Sequence, residues 1–415
     1  MTQHDPYAAL KIPAYVAYMT GLFFEVFGSQ MCIIAVGWEL YERTHSAFVL
    51  GMIGLMQFIP VLLFSLPAGH WIDIYDRKML LIFAQTLRIV ASVGLAIASL
   101  VSAPLIAIYL CLFLIGLGGA MGLPARSAFF PLLIPESVLP NAVTWNIVAF
   151  QTAIVTGPVL AGISIALSGN ARWAYMGFAL CSLLFIALIG GIAVRPHARE
   201  EKTPMTWESL LAGLHFITKT KVILGMITLD LFAVLFGGAT ALLPLFAKDI
   251  LQIGPVGLGV LRASPAIGAI LMNLVVAHLP PLKKAGGLML GAVAGFGLAT
   301  MVFGLSTNAL LSFVMLALTG GFDAISVIVR HTLMQIQTPR HLIGRVYAIN
   351  NIFGVSSNEL GGWESGMTAG FFGPIVSVVG GGICTILVVI LCALKWPEIG
   401  RLETLRKEFD LEKAL

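Results

Sequence analysis

Pro67-Ala68-Gly69-His70-Trp71-Ile72-Asp73-Ile74-Tyr75-Asp76-Arg77-Lys78 joins two long apolar runs, 47–70 and 79–100. Gly69 lets helices approach closely where the first run ends. Asp73 is placed to cap a helix end or to pair across to a neighbouring one. Arg77 and Lys78 put two positive charges where the second run begins. The stretch is therefore a charged turn between two membrane-length helices, and the rest of the chain repeats that design.

Composition fixes the class. The chain is 58% apolar and 11% charged, against about 25% charged in a typical soluble domain. Twelve apolar runs lie at about 14–41, 47–70, 79–100, 104–125, 142–168, 173–194, 222–247, 256–278, 286–305, 309–333, 344–369 and 373–395. Each is long enough for a crossing, which takes roughly 20 residues. The densest polar stretch before the tail, 195–221, divides six runs from six. Within it Trp207, Leu210, Leu211, Leu214 and Ile217 recur at helical spacing, as in a helix lying in the membrane interface. The expected layout is a bundle at 1–194, a cytoplasmic linker at 195–221, a second bundle at 222–395 and a cytoplasmic tail at 396–415. Alternate loops and the tails hold 17 of the Lys and Arg residues, while the opposite loops hold only Arg43, Arg172 and Lys248. The positive-inside rule then puts both termini in the cytoplasm and the chain in the cell's inner (plasma) membrane.

The two halves echo each other. A shift of 204 residues lays Arg126 on Arg330, Pro135 on Pro339, Asn146 on Asn350, Gly157 on Gly361 and Gly162 on Gly366. A shift of 205 lays Glu25 on Asp230. Repeated halves with a midplane site between them are the architecture of secondary transporters. The expected fold is an all-α membrane protein of 12 transmembrane helices in two pseudo-symmetric six-helix bundles.

The pattern G-x-x-x-D-x-x-D-R-K formed by Gly69, Asp73, Asp76, Arg77 and Lys78 resembles the signature loop of the major facilitator superfamily. That resemblance implies a cytoplasmic charge latch that stabilises one access state. Gly37-Trp38-Glu39-Leu40-Tyr41-Glu42-Arg43-Thr44, Arg330-His331-Thr332-Leu333, Gly344-Arg345-Val346 and Ser357-Asn358-Glu359-Leu360-Gly361 are similar to its enterobactin-exporter-like and macrolide-efflux-like branch. Gly157-Pro158-Val159-Leu160-Ala161-Gly162 matches the end of the family's antiporter motif in the fifth helix, without its upstream glycine. The branch implies export of siderophores, antibiotics and other amphiphiles, and multidrug resistance among its consequences. One departure is clear: Leu112 to Ile115, ahead of Gly116-Leu117-Gly118, carry no Arg, so proton coupling through the family's fourth-helix Arg does not transfer.

Six ionisable residues fall inside apolar runs: Glu25, Asp230, Asp323, Arg330, Glu359 and Glu364. A charge at bilayer depth costs roughly 2.5–3.5 kcal/mol on insertion scales, which marks these residues as candidates for proton coupling or for lining a substrate cavity. Glu25 and Glu359 are the leading proton carriers. Asp323 and Arg330, seven residues apart, share a helix face and suit an ion-pair network through neighbouring helices. The expected activity is secondary-active export of amphiphilic small molecules, siderophore or drug-like, by alternating access and proton antiport. A lipid or lysophospholipid flippase and a proton-symporting importer remain the alternatives. No enzyme, cofactor, metal site or nucleic-acid partner is expected: there is no P-loop, the histidines are scattered, and the five cysteines lack ligand spacing. The expected energy source is the proton gradient, the partners are a small-molecule substrate and membrane lipids, and a single chain is expected to suffice.

Overall fold

A computed structural model describes residues 5–193, 207–279, 284–339 and 342–400, with side chains at 65, 66, 69, 70, 72, 73 and 207–211 outside that description. Expectations that rest on the packing of Gly69, on the Asp73 side chain, on residues 195–206 and on the tail beyond 400 therefore lie outside the described residues.

The first half holds α1 (Pro13–Thr44), α2 (Ala47–Ile74), α3 (Arg77–Leu100), α4 (Leu105–Phe129), α5 (Leu139–Ser168) and α6 (Arg172–Gly190). The connector helix α7 (Trp207–Lys219) precedes α8 (Lys221–Phe236). The seventh span then breaks at Gly237-Gly238 and continues through a 3-10 turn at Ala239–Leu242, the short α9 (Leu243–Leu245) and a π turn at Phe246–Ile250. Two glycines followed by Pro244 are sufficient cause for the break. The remaining helices are α10 (Gly254–His278), α11 (Ala285–Leu305), α12 (Ala309–Gln337), α13 (Ile343–Phe372), α14 (Pro374–Lys395) and α15 (Pro397–Gly400). No strand occurs among the described residues.

Helix ends follow local chemistry. Pro13 opens α1, where its missing N–H costs nothing. The Asp76 carboxylate caps α3 by accepting from the Met79 N–H at 3.0 Å, and Asn308 caps α12 by accepting from the Leu311 N–H at 3.0 Å. Gly169 closes α5 at φ 69°, a left-handed stop that glycine adopts without strain.

Eleven helical stretches are long and apolar enough to cross a membrane. The twelfth span, α13, falls short in hydropathy because Asn350, Asn351, Asn358, Glu359 and Glu364 lie along it. Its 30 residues still reach roughly 45 Å at the α-helical rise, beyond a hydrocarbon core of about 30 Å. The chain is an all-α membrane protein of the expected twelve-helix class.

Contacts sort the described residues into two compact units: 5–193 with Thr240–Ala263, and 207–239 with 264–400. In the first, α1 packs on α5 and α6, α3 on α4 and α6, and α2 on α4. Tyr15, Tyr18, Phe129 and Phe185 fill its core, and the Tyr15 hydroxyl donates to the Ala142 carbonyl at 2.8 Å. In the second, α8 packs on α13 and α14, and α11 on α12 and α14. Counted by span, these four pairings repeat four of the five in the first unit, so the sequence repeat is a repeat of packing.

Small residues let backbones touch. A Cβ on Gly157 would stand 2.7 Å from the Phe27 carbonyl oxygen, and Gly162 and Gly259 face the Pro255 and Pro158 carbonyls. The fifth-helix motif is thus a packing surface on two sides, against α1 and against the start of α10. In the second unit Gly320 lies against the Pro265 carbonyl and Gly268 against that of Ala317. Gly320→Ala is expected to cost about 1–3 kcal/mol or more by overpacking, read as a lowered unfolding temperature of the purified protein in detergent. Gly287→Ala, with open space around it, should melt like wild type; equal melting of both variants would mean that α10 and α12 separate freely.

Candidate functional site

Two buried ion clusters occupy corresponding places in the two units. In the first, Glu25 on α1 is 5% exposed. Its Oε1 accepts from Arg88 of α3 at 2.6 Å and its Oε2 from Arg126 of α4 at 3.3 Å. Gln85, one turn before Arg88 and also buried, hydrogen-bonds the same carboxylate. One acid therefore meets two guanidinium groups drawn from two other helices. On the same turn-and-a-half of α1, Phe23 stacks on Phe27 and meets Phe24 edge-on.

In the second unit Asp230 of α8, 9% exposed, pairs with Arg330 of α12, 6% exposed. Asp323 lies two turns before Arg330 on the same helix and forms no ion pair among the described residues. It lines a small cavity with Asp230, Ala233, Val234, Val293, Phe296, Phe322 and Ser326. That cavity offers about 10 Å³ to the centre of a water molecule, the room that one water needs. The Ser326 hydroxyl, on a residue 2% exposed, has no hydrogen-bond partner. Arg330 reaches across to Asp230 on the neighbouring α8, and Asp323 stands beside the pair.

Glu359 and Glu364 both lie on α13, half-buried. Glu359 has interactions of its own, and Glu364 is hydrogen-bonded by Ser365 and Thr368. The described part of the signature loop is an anchor for helix ends. Asp76 caps α3, Arg77 donates to the Ala128 carbonyl at 3.2 Å, and Lys78 donates to the Gly190 and Ile192 carbonyls at 2.8 and 2.9 Å. Cations placed on the carbonyls that end α4 and α6 answer the negative ends of those helix dipoles.

A third polar cluster sits where α1 ends. Glu39, 8% exposed, accepts from Arg43 at 2.6 Å and from the Tyr175 hydroxyl at 2.8 Å. The Tyr41 hydroxyl donates to Asp249, Glu42 pairs with Lys248 at 2.9 Å, and the Lys248 ammonium lies 5.9 Å from the Trp38 ring centre. These contacts hold Thr240–Ala263 within the first unit.

Sequence reasoning missed Arg88, Gln85, Glu39 and Ser326 as members of clusters. A signal existed for Arg88, the one charged residue between Met79 and Leu100: an arginine at bilayer depth needs a partner as much as an acid does. Among the described residues no group of His, Cys, Asp or Glu is placed to hold a metal ion.

Residues 4–409 match the profile of a family described as transmembrane secretion effectors. The chain belongs to that family, within the major facilitator superfamily. Relatives from Shigella boydii serotype 4 and Escherichia coli, both named enterobactin exporter EntS, are 26% identical over 391 residues, covering 94% of this chain and 93% of theirs. The fold is similar to that of a D-xylose–proton symporter (TM-score 0.72, 16% identity, 93% of this chain and 98% of that one). It is likewise similar to a bacterial homologue of the human lysosomal transporter Spinster, solved inward-facing and occupied (TM-score 0.70, 14% identity, 96% and 98%). The protein is a multi-pass membrane transporter of small molecules, in a family of transporters and not of enzymes.

Removing the acid from the first cluster exposes what it does. Glu25→Ala leaves two buried guanidiniums facing each other, and a loss of about 3–5 kcal/mol is expected. Arg126→Ala should cost less, because the shorter Arg88 contact survives. Unfolding curves of the two purified variants check the order; an Arg126→Ala loss equal to or greater than that of Glu25→Ala would refute the assignment.

Proposed function

We propose that this transporter is a secondary-active exporter of amphiphilic small molecules in the inner membrane, with both termini cytoplasmic, exchanging cargo for protons by alternating access. The observation that carries the reading is the match along nearly the whole chain to relatives named enterobactin exporters. The ion clusters supply its chemistry. In the first unit two guanidiniums face one carboxylate, a buried surplus of one positive charge. Such a surplus favours cargo with an acidic group, as a catecholate or carboxylate siderophore has, since guanidinium forks suit oxyanions. The Phe23, Phe24 and Phe27 rings offer an apolar neighbour for the rest of an amphiphile.

Energy comes from the proton gradient, and no nucleotide or other cofactor takes part. Asp76, Arg77 and Lys78 act on the helix ends they bind and so bias the inward and outward states, without touching cargo. Cargo and membrane lipids are the partners, and one chain carries the whole cycle.

The test uses the full chain in sealed proteoliposomes with enterobactin as the probe. Accumulation in vesicles with an acidic lumen should exceed several-fold that in vesicles without a gradient, and a protonophore should abolish the difference. Accumulation indifferent to the gradient, or movement of phospholipid alone, would overturn proton-driven export.

A further inference from the structure

Charge is out of balance in opposite senses in the two units. Around Glu25 there are two guanidiniums to one carboxylate. Around Arg330 there are two carboxylates, Asp230 and Asp323, to one guanidinium. Asp230 is already committed to Arg330, so Asp323 brings a second negative charge that has no ion pair of its own among the described residues. Its walls are Ala233, Val234, Val293, Phe296 and Phe322. An uncompensated carboxylate among such groups is costly.

We propose that Asp323 is the proton-binding residue of the transport cycle, taking up one proton in the cavity it shares with Ser326 and the Asp230–Arg330 pair. This rests on the proton-coupled export argued above and names the residue that carries the proton. Three features of the site support it. The cavity has room for about one water, which is enough to relay a proton and too little for a metal ion's shell of oxygen ligands. The Ser326 hydroxyl is buried and uncommitted, so it can accept from the protonated acid or donate to the ionised one. Arg330 stands two turns away, so losing the proton leaves a second anion competing with Asp230 for one guanidinium. That competition links the proton to the contact between α8 and α12. The step is a simple transfer: a hydronium gives its proton to a carboxylate oxygen of Asp323 and becomes water, and release on the other side reverses it.

The other charged or titratable groups nearby are accounted for. His331 adjoins Arg330 and stacks edge-on against Tyr347 of α13. Glu359 and Glu364 on α13 have contacts of their own, and α11 contributes no titratable side chain between Ala285 and Leu305.

Infrared difference spectroscopy of the full-length protein in lipid, titrated without cargo, reads the site directly. A protonated-carboxyl band at the high frequency of a buried acid, apart from that of solvated carboxyls, should appear and vanish with pH in wild type. It should be lost in Asp323→Asn and return, displaced in frequency, in Asp323→Glu. If Asp323→Asn does not accumulate, isotope labelling of aspartate carboxyl groups in wild type should shift the band. A band that persists in Asp323→Asn, fails to shift on aspartate labelling, or is absent at every pH would overturn the proposal. A band that obeys these rules while enterobactin transport ignores the gradient would uphold the proton site and refute proton-driven export.

Discussion

A carboxylate on the first span of each half reaches an arginine on the fourth, and this pairing is the constraint around which both bundles are organised. Glu25 meets Arg126 in one unit and Asp230 meets Arg330 in the other. Two charges taken out of water cost several kcal/mol each, and their attraction repays that only when geometry is good. Such pairs are therefore poor devices for stability alone. They do fix register: α1 cannot slide or rotate against α4, nor α8 against α12, without parting charges in a medium that cannot solvate them. Apolar packing around the pair would tolerate several registers; the ion pair admits one.

The repeat is conserved in placement and altered in stoichiometry. The first half adds a second arginine from α3, and the second half adds a second acid from α12 itself. Both additions leave a net charge within the membrane, which favours the uptake of something of opposite sign. A transporter that exchanges an acidic amphiphile for a proton needs one site of each kind. The two halves become complementary through one added charge in each cluster, Arg88 from α3 and Asp323 from α12.

Much of this was legible in the sequence because it depends on local period and composition. The helices and the alignment of Glu25 with Asp230 and Arg126 with Arg330 follow from spacing, whereas the break at Gly237-Gly238 inside the run 222–247 does not. The alignment even contained the pairing, since two residues matched to two others at nearly one offset suggest that the members of each pair meet. What stayed hidden was the third member of the first cluster. Arg88 reaches Glu25 across 63 residues of chain, and its helix face is set by packing against α4 and α6 rather than by any pattern in 79–100. The grouping of Thr240–Ala263 with the first unit was hidden for the same reason. Its hold comes from Tyr41–Asp249, Glu42–Lys248 and the facing glycines, each of which reads in sequence as an ordinary helix-end residue.

Glycine completes the mechanism of constraint. Where Gly157 meets Phe27, Gly320 meets Pro265 and Gly361 meets the Leu235 carbonyl, backbones approach so closely that no side chain fits between them. Contacts of this kind carry almost no polar bond that must be broken when helices shift. The ion clusters, by contrast, hold discrete arrangements that change only when a charge changes. A bundle built from smooth glycine crossings and a few charge-locked points is held at those points and smooth between them; in the proposed cycle a proton or an anion releases them. That division of labour explains why the polar residues of this chain are so few and why nearly all of them, from Glu25 to Arg330, already have partners.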